Sequence, residues 1–225
     1  MPERQLSRLS TPRAAAVAGV LFALLFATAL VLIRLALPEG AEPGAQWLVS
    51  GSTNLKVAAT IMPFAGIAFL WFIGVFRNRL GALEDQFFAT VFFGSGLLFV
   101  ASLFASAALS GALLEAIANG HSQALNNETY YIIRLLGRSF LNVFAIKMAG
   151  VFIFSTSTVV LRTSILPRWV AFLGYGCALV LLLVITNWPW IALLFPLWIL
   201  VLSACILLAE FHPRAGHSAG LENAP

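Results

Sequence analysis

Six long apolar runs, separated by short polar stretches, account for most of the sequence. They extend from Ala14 to Leu37, Val57 to Phe76, Phe87 to Leu114, Tyr131 to Leu161, Trp169 to Asn187 and Trp190 to Ala209. About 20 apolar residues at 1.5 Å each cross the ~30 Å hydrocarbon core of a bilayer, and a separate run of this length satisfies its own backbone there only as a helix. A transmembrane β-barrel would show short segments alternating with a period of two, and these runs are continuous. The pattern predicts an all-α polytopic membrane protein of six transmembrane helices. A short segment, 1–13, precedes a single membrane domain over 14–210, and a Pro- and Gly-containing tail, 211–225, follows it.

Composition supports this frame. The chain has 225 residues, 60% of them hydrophobic and 10% charged, with a mean hydropathy of +0.94. Charge is too scarce for a water-soluble or disordered chain, and two cysteines cannot make a disulfide scaffold. The net charge of +4 comes from basic residues spread thinly over membrane boundaries rather than from a patch, which argues against a nucleic-acid partner.

Those positions encode orientation, because loops rich in Lys and Arg stay cytoplasmic. Arg4, Arg8, Arg13, Arg77, Arg79, Arg162, Arg168 and Arg214 all fall on one side of a six-span chain. The opposite loops, Pro38 to Asn54 and Glu115 to Tyr130, carry Glu39, Glu42, Glu115 and Glu128 and no basic residue. Both termini are therefore predicted to be cytoplasmic. The first apolar run is too long for a signal peptide and has no clean cleavage site after it. Trp47, Trp169, Trp188 and Trp190 fall near boundaries, as amphipathic indoles do, and Asn187-Trp188-Pro189-Trp190 reads as a tight outer turn between spans five and six.

Candidate chemistry concentrates in span four. With Arg162 as the inner boundary, a core of about 30 Å puts the outer boundary near Asn142. Arg134 and Arg138 then lie at the outer headgroups and Lys147 lies inside the hydrocarbon. Tyr130, Arg134, Arg138 and Asn142 recur at i, i+4 and share one helix face, and span three offers a polar stripe of Ser102, Ser106 and Ser110 with Glu115 beyond it. Guanidinium groups are fork-like donors to carboxylate and phosphate, so this set suggests an outward-facing site for an anionic small molecule or a lipid headgroup. The plainer reading is snorkelling arginines held by headgroups or by Glu115 and Glu128.

None of the nine acidic residues falls at the depth of Lys147. Its ammonium either snorkels, is bound by carbonyls, hydroxyls or an anion, or loses its charge through burial. Ser155 to Thr158 form a polar run that either lines a path or bonds to its own backbone. Arg34 and Lys56, near outer helix ends, are expected to anchor to headgroups. Gly94 and Gly96, Ala145 and Ala149, and Gly174 with Ala178 are candidates for close helix contacts.

Other chemistries lack their residues. His121, His212 and His217 all fall outside the spans, Cys177 and Cys205 form no C-x-x-C pair, and neither a phosphate loop nor a nucleophile elbow occurs. No cofactor, metal or catalytic residue is expected.

The turn Arg162-Thr163-Ser164-Ile165-Leu166-Pro167-Arg168-Trp169, leading to Gly174 and Gly176, resembles one in uncharacterised multi-span bacterial membrane proteins grouped as domains of unknown function. That resemblance implies a bacterial inner-membrane location and carries no site residues with it. The functional expectation is a small transporter or channel-like protein binding an anionic or amphiphilic ligand on its outer half, with the bilayer itself as a partner. A non-catalytic assembly subunit, paired with itself or with another membrane protein, is the alternative, and an intramembrane enzyme is the third reading.

Overall fold

The computed structural model describes residues 11–36, 45–80, 86–119, 127–163, 166–183 and 189–211. Among these residues no strand occurs and six helices carry the fold. They are α1 (Thr11–Ala36), α2 (Ala45–Leu80), α3 (Gln86–Ala118), a composite α4, α5 (Arg168–Leu183) and α6 (Leu194–Phe211), the last entered through a 3-10 turn, Pro189–Leu193. The composite α4 is α-helical over Asn127–Ser139, π-helical over Phe140–Ala145 and α-helical again over Ile146–Thr163. Five of the six are long and apolar enough to cross a membrane, and α5, with 16 residues, is the short one.

Several boundaries differ from those expected. The second helix starts at Ala45 rather than Val57, so the end of the expected outer loop is helical. Hydropathy measures the solvent a segment prefers, and residues 45–56 are polar enough to leave hydrocarbon without leaving the helix. Pro63 sits inside α2 without ending it. The fourth helix begins at Asn127 rather than Tyr131, and α5 is described over Arg168–Leu183, so its expected end at Asn187 falls outside the described residues. Residues 184–188, including Trp188, lie outside the described residues, as do Glu39, Glu42, His121, His212 and His217.

Each helix packs on its neighbours in sequence, and α6 closes the ring against α1. Lipid tails are as apolar as the side chains, so association rests on close packing rather than on escape from water. Five helices meet in one aromatic core. Phe22, Phe69, Phe99, Phe152 and Phe195, from α1, α2, α3, α4 and α6, are each at most 2% exposed. The ring centroids of Phe22 and Phe69 are 4.6 Å apart, those of Phe69 and Phe152 5.0 Å, and those of Phe99 and Phe195 4.7 Å. Tilted and edge-on pairs of this kind contribute roughly 0.5–1.5 kcal/mol each beyond area burial.

The outer surface is apolar as well. Leu24, Trp71, Leu98, Phe172, Leu183 and Leu208 are all more than half exposed, an arrangement that water would penalise and lipid accepts. The chain is an apolar helical bundle of the kind that integral membrane proteins form.

The fifth helix approaches α4 through small residues. A Cβ on Gly150 would meet Leu182 Cγ at 2.8 Å, and one on Gly174 would collide with Ser157 Oγ and meet Trp198 Nε1 at 2.9 Å. Gly96 is closed in the same way by Ile73 and Phe152, and Ala145, Ala149 and Ala178 are buried. Gly94 has open space around it and is not a close contact.

Candidate functional site

At the end of the bundle predicted to face outward, α1 to α4 enclose a pocket of about 70 Å³. Its polar walls are Arg34 from α1, Ser106 and Ser110 from α3, and Tyr130, Arg134, Arg138 and Asn142 from α4. Ile33, Leu55, Leu113 and Leu141 supply apolar surface between them.

The first section of α4 builds one side. Its amphipathicity runs inward: Tyr130, Gly137 and Leu141 are buried and Arg134 is half-buried, whereas Tyr131, Ile132, Leu135 and Leu136 are about half exposed. The charged face thus looks into the bundle and the apolar face looks out, the reverse of a helix standing in water. The π-helical segment follows directly and contains Asn142. Single π turns are rare in α-helices and recur at functional sites.

Two hydrogen bonds tie the walls together. Arg34 Nη2 donates to Asn142 Oδ1 at 2.8 Å, joining α1 to α4, and Ser106 Oγ donates to the Gly137 carbonyl at 2.9 Å, joining α3 to α4. Ser110 Oγ donates to its own helix, to the Ser106 carbonyl at 2.9 Å. Arg138 is exposed at the rim. Arg134, which is half-buried, has no hydrogen bond or ion pair among the described residues. A guanidinium in such a place keeps five donors available in a planar fork.

The structure therefore brings together Arg134, Arg138, Asn142, Ser106 and Ser110, and adds Arg34. Sequence reasoning had assigned Arg34 to the headgroups. The signal that could have found it is its place inside the first apolar run, three residues before the predicted end. Ser102 is not part of the pocket and donates to the Leu98 carbonyl at 2.8 Å. Glu115 is exposed, does not line the pocket and has no ion pair among the described residues.

Lys147 lies apart from the pocket as well. Its Nζ donates to the carbonyls of Leu182 at 2.7 Å and Leu181 at 3.1 Å, in the last turn of α5. Of the outcomes open from the sequence, this is binding by carbonyls. Backbone dipoles give the C-terminal part of a helix partial negative charge, so an ammonium is favoured there.

The run Ser155 to Thr158 divides its roles. Ser155 Oγ, Thr156 Oγ1 and Thr158 Oγ1 donate to carbonyls one turn back at 2.9, 2.7 and 3.0 Å, and Thr158 also meets the Tyr175 hydroxyl on α5 at 2.9 Å. Toward the opposite end of the bundle, the guanidinium of Arg162 stands over the Phe88 ring at 4.6 Å and that of Arg77 over Phe93 at 5.4 Å. Cation–π contacts of this type let a basic residue end an apolar helix with its charge partly satisfied.

Comparison with known protein families, with curated proteins and with solved structures finds no match for this chain.

Proposed function

We propose that this integral membrane protein holds a small anionic group, a phosphate, sulfate or carboxylate, in the pocket formed by Arg34, Arg134, Arg138 and Asn142. The observation that carries the reading is the half-buried Arg134, which faces a cavity between four helices and has no protein partner among the described residues. Charge-assisted hydrogen bonds from such donors are worth about 1.5–3 kcal/mol each. The Tyr130 hydroxyl adds a neutral donor, and the Arg34–Asn142 bond fixes one guanidinium in advance.

The filled aromatic core supports holding rather than conducting. A ligand moving from the pocket along the bundle axis would have to displace Phe22, Phe69, Phe99, Phe152 and Phe195 together, and all of them are fully packed. The charge bias of the loops supports an outer-face pocket with both termini cytoplasmic, and the resemblance of the Arg162 to Trp169 turn supports a bacterial inner membrane.

The test is calorimetric titration of inorganic phosphate and sulfate into the purified protein in a neutral detergent, beside Arg134→Ala. Saturable binding that weakens about 10- to 100-fold in the variant supports the reading. Equal heats from the two proteins would remove it. Co-purification of a protein subunit at fixed stoichiometry, with no anion bound, would replace it with the assembly-subunit reading.

A further inference from the structure

The pocket is small for what surrounds it. Sites that enclose a drug-sized ligand measure roughly 300–1,000 Å³, whereas this one offers about 70 Å³. It has room for one small polar group and none for a larger body attached to it, so the remainder of any larger ligand lies outside. What lies beside it on the membrane side is apolar: Leu136, Val143 and Phe144 are about half exposed on α4, and the half-buried Phe140, whose ring centroid is 5.7 Å from that of Phe144, joins them into a stripe. Leu136 and Phe140 flank Arg138 along α4, so the stripe borders the charged rim of the pocket and continues from it toward the bilayer centre. Between the charges, the pocket walls are aliphatic.

Resting on the anion-binding reading above, we infer that the anionic group is the phosphate of an anionic membrane phospholipid. The phosphate sits among Arg34, Arg134 and Arg138, and the acyl chains run down the exposed stripe of α4. Charge complementarity selects the headgroup. The stripe supplies what a free anion would not use, an apolar surface continuous with the rim and already facing lipid. Ser106 and Ser110 of α3 line the same cavity, and with their own hydrogens donated to carbonyls their oxygens can accept from the hydroxyls of a glycerol headgroup.

The experiment uses the whole protein in nanodiscs of phosphatidylcholine with a minor fraction of phosphatidylglycerol, followed by native mass spectrometry of the lipids retained. Wild type, Arg134→Ala and the double variant Val143→Ser/Phe144→Ser are compared, each checked for helicity by circular dichroism and each titrated separately with inorganic phosphate. The expected result is strong enrichment of phosphatidylglycerol on wild type, a loss of at least tenfold in Arg134→Ala for both lipid and phosphate, and a several-fold loss of lipid alone in the apolar-stripe double variant. In wild type, inorganic phosphate should compete with the lipid. Phosphate binding without phosphatidylglycerol enrichment, or enrichment unchanged in a folded double variant, overturns the lipid assignment and leaves the anion site standing. If wild type retains neither, both fall.

Discussion

Replacing Lys147 by Met removes the ammonium from the end of α5 while keeping the length and apolar character of the stem. Lys147 Nζ bonds to two carbonyls of the last described turn of α5, Leu181 and Leu182, at 3.1 and 2.7 Å. Hydrogen bonds to a charged group contribute about 1.5–3 kcal/mol each, but two made by one half-buried ammonium share its charge and the cost of its lost hydration. The expected loss is about 2–4 kcal/mol, a factor of about 30 to 1,000 in the equilibrium between docked and frayed forms of the last turn. The effect should be local, because α5 is the short helix and contributes no ring to the central aromatic core. Hydrogen–deuterium exchange in detergent should show the amides of residues 180–183 exchanging at least 30-fold faster in Lys147→Met, with α1, α2 and α3 unchanged, and Lys147→Arg close to wild type. Exchange within threefold of wild type would refute the capping argument, and unfolding of the whole bundle would refute its local character.

Other substitutions separate contacts that resemble each other in sequence. Gly174→Ala places a methyl against Ser157 and Trp198 at a buried junction of α4, α5 and α6 and should cost about 1–3 kcal/mol. Gly94→Ala, with open space around it, should instead gain about 0.5–1 kcal/mol from helix propensity. Both are read as shifts in the unfolding midpoint in mixed detergent–SDS micelles. Phe69→Ala empties the ring that touches Phe22, Phe72, Phe99, Phe152 and Phe195, and the same titration should show a loss of about 3–5 kcal/mol. For topology, a fluorescent protein fused at the C-terminus should be bright and an alkaline phosphatase fused there inactive; the reverse would invert the assignment of both ends.

Hydropathy located helices well where the chain is apolar at both ends, as in α3, expected over Phe87 to Leu114 and found over Gln86–Ala118. It failed for the start of α2, because Ala45 to Lys56 is polar and a helix continues past the point where lipid stops. The short α5 was legible as a helix, expected from Trp169 and found from Arg168. Nothing in Phe140–Ala145 announces a π turn, since its composition matches the helix on either side.

The site was partly readable. The i, i+4 spacing of Tyr130, Arg134, Arg138 and Asn142 placed them on one face, and that face lines the pocket. Lys147 lies beyond the π-helical segment that carries Asn142, and it bonds to α5 rather than facing α1. Ser102 lies about a turn deeper than Ser106, toward the aromatic core. Arg34 was missed because a single sequence carries no record of which helices touch, and its partner Asn142 is 108 positions away.

The central claim, that the arginine pocket is an anion site, is tested most directly by a cryo-EM structure of the protein in nanodiscs containing phosphatidylglycerol. The claim requires density for a bound group within hydrogen-bond distance of the Arg34 and Arg134 guanidiniums, with the Arg34–Asn142 bond in place. A collapsed pocket with Arg134 turned away toward the bulk headgroups would contradict it.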